Sequence, residues 1–162
     1  MAQSDDLEIV QATAAHVGRF VKLFDAYRQF YGETSDIEGC RKFLTARVKH
    51  GDTVIFFAAD EEPSDDPALG FTILYPTFHS VLMAPMWVLN DIYVADSARR
   101  RGVARALIER ARDLVMETNA HRLSLETGIT NTPSHKLYSS LGFKRDTSNC
   151  TFFLDTPPLA EL

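Results

Sequence analysis

Asn90-Asp91-Ile92-Tyr93-Val94-Ala95-Asp96-Ser97-Ala98-Arg99-Arg100-Arg101-Gly102-Val103-Ala104-Arg105-Ala106-Leu107 is the stretch whose reading decides the fold. Trp87-Val88-Leu89 and Ile92-Tyr93-Val94 are β-branched, aromatic or aliphatic around the polar pair Asn90-Asp91, which predicts a mostly buried strand with two functional or strained positions. Ala95 to Ala98 make the turn. Three arginines then precede Gly102 and Ala104, small residues that let a backbone approach a bulky anion, and Val103, Ala106, Leu107, Ala111, Leu114 and Val115 recur with helical period. The basic loop thus closes onto a helix N-terminus, where free amide N–H groups and the positive end of the helix dipole bind phosphate oxygens. Cations at that end oppose the dipole by about 0.3–1 kcal/mol each, so three in succession make sense if an anion sits among them. A solvated basic loop is the alternative for R-R-R-G taken alone. G-x-G-x-x-G and G-K-[ST] are both absent, which sets aside dinucleotide and Walker-type phosphate loops.

A second segment, Asn131-Thr132-Pro133-Ser134-His135-Lys136-Leu137-Tyr138-Ser139-Ser140-Leu141-Gly142-Phe143, reads as a short helix. Pro133 suits its first turn, Leu137 and Leu141 share a face, and Gly142 stops it before a strand beginning at Phe143. A tyrosine near a helix end is by itself most often an amphipathic core residue with its hydroxyl at the surface.

Arg99-x-x-Gly102-x-Ala104 after the Asp91–Val94 strand resembles the acetyl-CoA-binding motif of the GNAT superfamily of N-acetyltransferases, R/Q-x-x-G-x-G/A. The second segment is similar to that family's later motif, N-x-x-A-x-x-L-Y-x-x-x-G-F, with Ser134 in place of the alanine and Asn131 seven residues before Tyr138. Around the strand, the sequence is nearest in pattern to the spermidine/spermine N-acetyltransferase branch, although Asn90 stands where those proteins carry glutamate. The resemblance covers nearly the whole chain. It implies an α/β (α+β) fold with a mixed, mostly antiparallel central sheet and helices on both faces, built as one domain over 1–162.

The remaining sequence agrees with that order. Leu7 to Val10 reads as an opening strand, and Thr13 as the N-cap of a helix with Val17, Phe20, Val21, Phe24, Tyr27 and Tyr31 at helical spacing, ended by Gly32. A second helix from Ser35 or Asp36 turns Ile37, Cys40, Phe43, Leu44 and Val48 inward until Gly51. Strands are predicted over 53–59, 68–75, 121–126, 142–145 and 150–154, with 60–67 an acidic, proline-bearing turn expected to be mobile.

Composition narrows the function. The chain has 162 residues, 45% hydrophobic and 24% charged, as soluble globular proteins do. A formal net charge of -5 argues against a general nucleic-acid binder. No secretion signal and no apolar run long enough to span a bilayer is visible, so a cytoplasmic protein without membrane attachment is expected. Cys40 and Cys150 form no C-x-x-C pair, and the five histidines show no ligand spacing; no metal is expected.

The resemblance implies direct attack of an amine on the thioester carbon of acetyl-CoA, the acyl-donor co-substrate. It assigns the backbone of Ile92, Tyr93 and Val94 to the pantetheine arm, Arg99, Arg100, Arg101, Gly102, Val103 and Ala104 to the diphosphate, Asn131 to a hydrogen bond with the arm, and Tyr138 to protonation of the departing thiolate. A phenol, with its ordinary pKa of about 10, is protonated at neutral pH and suited to that task. The base is open. An amide at Asn90 cannot take the proton, while Asp91 is either a base or substrate contact or a structural acceptor. A strand bulge would decide which of the two reaches the cleft, and relay through water is a further route. Tyr27, Tyr31 and Glu33 from the first helix and its exit, Phe78, His79 and Ser80 from the following hairpin, and Asn90 are the acceptor-contact candidates. Tyr27 also fits a core position, and Glu33 an exposed one. A small-molecule amine, such as an amino-acid derivative or a polyamine-like compound, is the expected partner; a protein or peptide acceptor and a non-catalytic acyl-CoA-binding module are the alternatives. A homodimer is compatible with the fold, through 81–88 or the terminal strand.

Overall fold

A computed structural model describes residues 7–60 and 67–155. Contacts divide the chain into two compact units, Met1–Gly128 and Ile129–Leu162.

The first unit runs β1 (Leu7–Gln11), α1 (Val17–Phe30), α2 (Ile37–His50), β2 (Val54–Asp60), β3 (Gly70–His79), β4 (Ala84–Val94), α3 (Val103–Glu117) and β5 (Leu123–Leu125). One sheet takes the order β1-β2-β3-β4-β5. The first four strands are antiparallel neighbours, whereas β5 lies parallel to β4. A parallel neighbour needs a crossover, and α3 supplies it.

Both faces of the sheet are covered, which is why β2 reads Val-Ile-Phe-Phe-Ala-Ala without polar alternation. Ile55, Phe57, Ala59, Phe71 and Ile73 pack with Val17, Phe20, Val21 and Phe24 of α1 and Cys40 and Leu44 of α2. The opposite parity, Phe56, Leu74 and Leu89, is equally buried, as are Val103, Leu107, Ile108 and Ala111 of α3. Arg110 of α3 lies 4.5 Å over the Phe56 ring. Burial of each such phenylalanine favours folding by about 1.5–3 kcal/mol.

The helix ends follow their sequence signals, with small offsets. Thr13 caps a single 3-10 turn, Ala14–His16, and α1 proper begins at Val17. Asp36 caps α2 by accepting from the Gly39 N–H at 2.8 Å. Phe43, predicted inward, is 44% exposed and stacks on Phe24 at 6.0 Å. β3 and β4 extend further than predicted, because their hairpin keeps its ladder to His79 and Ala84. Of the predicted acidic turn, 61–66 lie outside the described residues.

Two details place the functional region. The β3–β4 register passes from Ile73↔Asp91 to Leu74↔Leu89, so Asn90 is an extra residue on β4, a β-bulge. Further, β4 is paired with β5 only at Trp87–Leu89; beyond the bulge, Asn90–Val94 has no partner on that side among the described residues.

The second unit holds α4 (Thr132–Ser140), which Asn131 caps and Gly142, at φ +89°, ends. The strands predicted over 142–145 and 150–154 do not form. Phe152, Phe153 and Leu154 are 88%, 82% and 94% exposed, without a ladder partner among the described residues.

Candidate active site

The turn from β4 into α3 is built to leave donors uncovered. A 3-10 turn, Asp96–Ala98, is followed by Arg99 in an extended conformation, Arg100 at φ +66° and Gly102 at φ +85°. Left-handed backbone costs a non-glycine residue about 1–2 kcal/mol, so Arg100 is held against its preference. Gly102 is the N-cap of α3 and offers no side chain to it; the first intrahelical bond of the cap is Ala106 N–H to Gly102 O at 3.0 Å. The N-terminal amides of α3 thus lack a side-chain cap, and the dipole is not opposed by an acidic first turn. Arg99 donates to Asp96 at 2.6 Å and Arg101 to Asp60 at 2.5 Å, which fixes both guanidinium groups. Arg100 has no ion pair among the described residues. The donor set suits a diphosphate: one arginine without a carboxylate, two anchored beside it, and an uncapped helix end.

Close packing on β3 sets where that helix end lies. A Cβ built on Gly70 would come within 2.9 Å of Val103 Cγ1, 3.0 Å of the Tyr93 carbonyl and 3.3 Å of Leu107 Cδ1. Only glycine lets the first turn of α3 approach the sheet this closely. Gly70 was not singled out in the sequence, where it falls inside the strand predicted over 68–75.

The bulge puts Asp91 on the α1 face of the sheet, opposite Ile73. Its Oδ1 accepts the Tyr27 hydroxyl at 2.7 Å and its Oδ2 the Asn90 amide at 3.1 Å, while its carbonyl accepts from Thr72 Oγ1 at 2.8 Å. Burial, and then the bond to the Asp91 carboxylate, hold the Tyr27 phenol far above its usual pKa, so it is a permanent donor. Burial and the charge of Asp91 also raise Tyr75. Tyr27 is at once a packing and a polar residue. Its ring contacts Phe24, Phe71, Tyr93 and, at 5.1 Å, Tyr31. Tyr31 meets Phe30 at 5.2 Å, and Phe30 meets Tyr93 at 6.3 Å. Phe30 and Tyr31 are 68% and 70% exposed, so an open aromatic wall stands beside the carboxylate. Phe30 was missed in the sequence because it falls off the apolar stripe of α1.

The other candidates have surroundings of their own. Glu33 is exposed and lies 3.7 Å from Arg28. Phe78, His79 and Ser80 sit at the hairpin end, five residues along β3 from Ile73, roughly 17 Å at about 3.4 Å per residue. There the His79 and His121 rings pair at 6.0 Å. In the second unit, Asn131 accepts from the Ser134 N–H at 3.4 Å, and the half-buried Tyr138 packs on Phe143 at 5.8 Å. Among the described residues no three His, Cys, Asp or Glu side chains could share a metal, and no helix is long and apolar enough to cross a membrane.

A mixed sheet with a bulged fourth strand thus leads into an arginine-bearing turn and a helix end without a side-chain cap. The acetyltransferase (GNAT) family model matches residues 20–143. An uncharacterized N-acetyltransferase of Bacillus subtilis (strain 168), YhfO, is 34% identical over 151 residues, 93% of this chain and 99% of its own length. A probable acetyltransferase of Haemophilus influenzae is 31% identical over 138 residues, 85% and 90% of the two chains. A crystal structure of a probable acetyltransferase superposes with TM-score 0.84 at 42% identity, covering 93% of this chain and 98% of that one. The chain belongs to the GNAT family and is an acetyltransferase.

Proposed function

We propose that the protein transfers the acetyl group of acetyl-CoA to the amine of a small molecule, by direct attack in a ternary complex. The observation that carries this reading is the Asp91 carboxylate, oriented by Tyr27 and Asn90 beside the aromatic wall of Tyr27, Phe30, Tyr31 and Tyr93. A carboxylate attracts an ammonium ion, and aromatic faces favour cations and flat apolar groups. Asn90 donates to Asp91, so its role here is to orient the carboxylate rather than to take a proton. This separates the site from a polyamine enzyme that relies on a glutamate at this place.

Acetyl-CoA supplies an activated thioester carbonyl. The backbone of Ile92, Tyr93 and Val94, left without a strand beyond the bulge among the described residues, offers hydrogen bonds to an extended amide-bearing arm; Arg99 to Ala104 and the α3 amides receive the diphosphate. Asp91, directly or through water, takes the proton the amine loses as its nitrogen bonds the carbonyl carbon. The C–S bond breaks, and the family motif on α4 assigns Tyr138 to deliver the proton that converts the thiolate to free CoA thiol, with Asn131 on the donor's arm.

The exposure of Phe30 and Tyr31 favours a second reading, acetylation of a peptide N-terminus laid along an open wall. Thiol release from acetyl-CoA, measured with 2-phenylethylamine, putrescine, alaninamide and an octapeptide with free N-terminal alanine, separates the two. The small-molecule reading expects turnover with at least one small amine and a lower kcat/KM with the peptide. Turnover with the peptide alone supports the second reading, and no release above the amine-free rate overturns both.

A further inference from the structure

Asp25 is the only acidic side chain in the core of the described residues, 2% exposed on the inner side of α1. Its Oδ2 accepts from Ser35 Oγ at 2.7 Å and Gln29 Nε2 at 2.9 Å; its Oδ1 accepts from the Asp36 N–H at 2.8 Å and the Cys40 thiol at 3.6 Å. These donors hold its carboxyl below the usual carboxylate range, the Asp36 amide first among them. Arg28, 3.7 Å away, donates in turn to the Thr34 carbonyl at 3.2 Å and lies 3.7 Å from Glu33. Residues 33–36 are thus tied to two side chains on the last turns of α1. The connection Gly32-Glu33-Thr34-Ser35-Asp36 has no apolar side chain with which to pack, so hydrogen bonds must hold it. Between Asp25 and Arg28 in sequence stands Tyr27, whose hydroxyl rests on Asp91.

A buried carboxylate is a costly way to fix a helix pair, because an apolar residue of similar volume avoids the desolvation. Its four donors make sense if the connection must hold one position. We propose that Asp25 is a positioning residue for the acceptor: it clasps the α1–α2 connection so that Tyr27 and Tyr31 keep their places beside Asp91. The proposal rests on the reading of Asp91 as the acceptor end of the site.

Cys40 reports on the clasp independently of activity, being 3% exposed, whereas Cys150 is exposed. In a Cys150→Ser background, Asp25→Asn and the milder Ser35→Ala are compared by Cys40 labelling with Ellman's reagent and by steady-state kinetics with the fastest acceptor of the panel above. Removing a charge-assisted hydrogen bond is worth about tenfold, so Asp25→Asn should raise the labelling rate and the acceptor KM by about that factor. The KM for acetyl-CoA and kcat should stay within about twofold, and Ser35→Ala should move in the same direction by less. A purely structural role would lower the melting temperature without separating the two KM values. Unchanged acceptor KM in a folded Asp25→Asn or Ser35→Ala protein, or equal changes in both KM values, overturns the proposal. Wild-type protein inactive on every acceptor overturns the functional reading first, and with it the acceptor role of Asp25; unchanged Cys40 protection in active variants overturns the clasp alone.

Discussion

Replacing Tyr27 by phenylalanine tests the acceptor end of the site with the smallest possible change. The ring contacts with Phe24, Tyr31, Phe71 and Tyr93 are retained, and one 2.7 Å hydrogen bond to the Asp91 carboxylate is lost. A hydrogen bond to a charged group contributes about 1.5–3 kcal/mol; since Asp91 is only partly buried, about 1–2 kcal/mol is the appropriate range. At roughly 2–4 °C per kcal/mol for a chain of this size, the melting temperature should fall by about 2–8 °C. If the bond also holds Asp91 for proton transfer, the same energy appears in the barrier, and kcat/KM for the amine should fall about 5–30-fold at 1.36 kcal/mol per decade. Affinity for CoA, measured by calorimetry, should not change, because the arginine-bearing turn is untouched. A lower melting temperature with unaltered kcat/KM would refute the reasoning and leave Tyr27 a packing residue.

Further outcomes follow from other contacts. Gly70→Ala pushes a methyl into Val103 and the Tyr93 carbonyl, so overpacking of about 1–3 kcal/mol should lower the melting temperature and weaken CoA binding, both read on one purified sample. Gly102→Glu places a carboxylate, on a strained left-handed backbone, at the proposed diphosphate turn; calorimetry should show loss of CoA binding, and unchanged affinity would remove the phosphate site. Tyr138→Phe should keep CoA affinity and lower kcat by about 10²–10⁴-fold where chemistry limits the rate, since that is the range acid catalysis supplies. Asp25 has a native pKa below its ordinary 3.8, so its contribution is complete above that pH and lost as pH falls below it through the native value. Acid titration of stability should therefore show the gap between wild type and Asp25→Asn closing below about pH 4.

The strand, turn and helix around Asn90–Leu107 were legible because three local signals agree there: apolar β-formers, small residues at the turn, and helical spacing beyond it. Helix ends at Asp36 and Gly142 were readable for the same reason. The strands over 142–154 were not, because Phe152-Phe153-Leu154 satisfies β-propensity and nothing in propensity provides a ladder partner. Asp25 occupies a core-facing position four residues after Val21; its charge concealed it, although a carboxylate at such a position is itself a signal of a buried network. Asn90-Asp91 showed that a bulge was possible, but only the pairing with β3 decides its position.

The bulge at Asn90 also makes β4 tolerant of length at one position, an irregularity that the other described strand pairs do not show. Leu89 and Asp91 are two positions apart, yet they serve opposite faces, and the extra residue between them is what resets the alternation. Deleting Asn90 would set Leu89 and Asp91 side by side on a regular strand, still opposite Leu74 and Ile73. Every downstream side chain would keep its face, while the local bend of the bulge and the Asn90 hydrogen bond to Asp91 would be lost. The single inserted residue is thus a place where β4 can lose length without changing which face its side chains serve, and the cost of its loss should fall on the seating of the Asp91 carboxylate, which Asn90 orients.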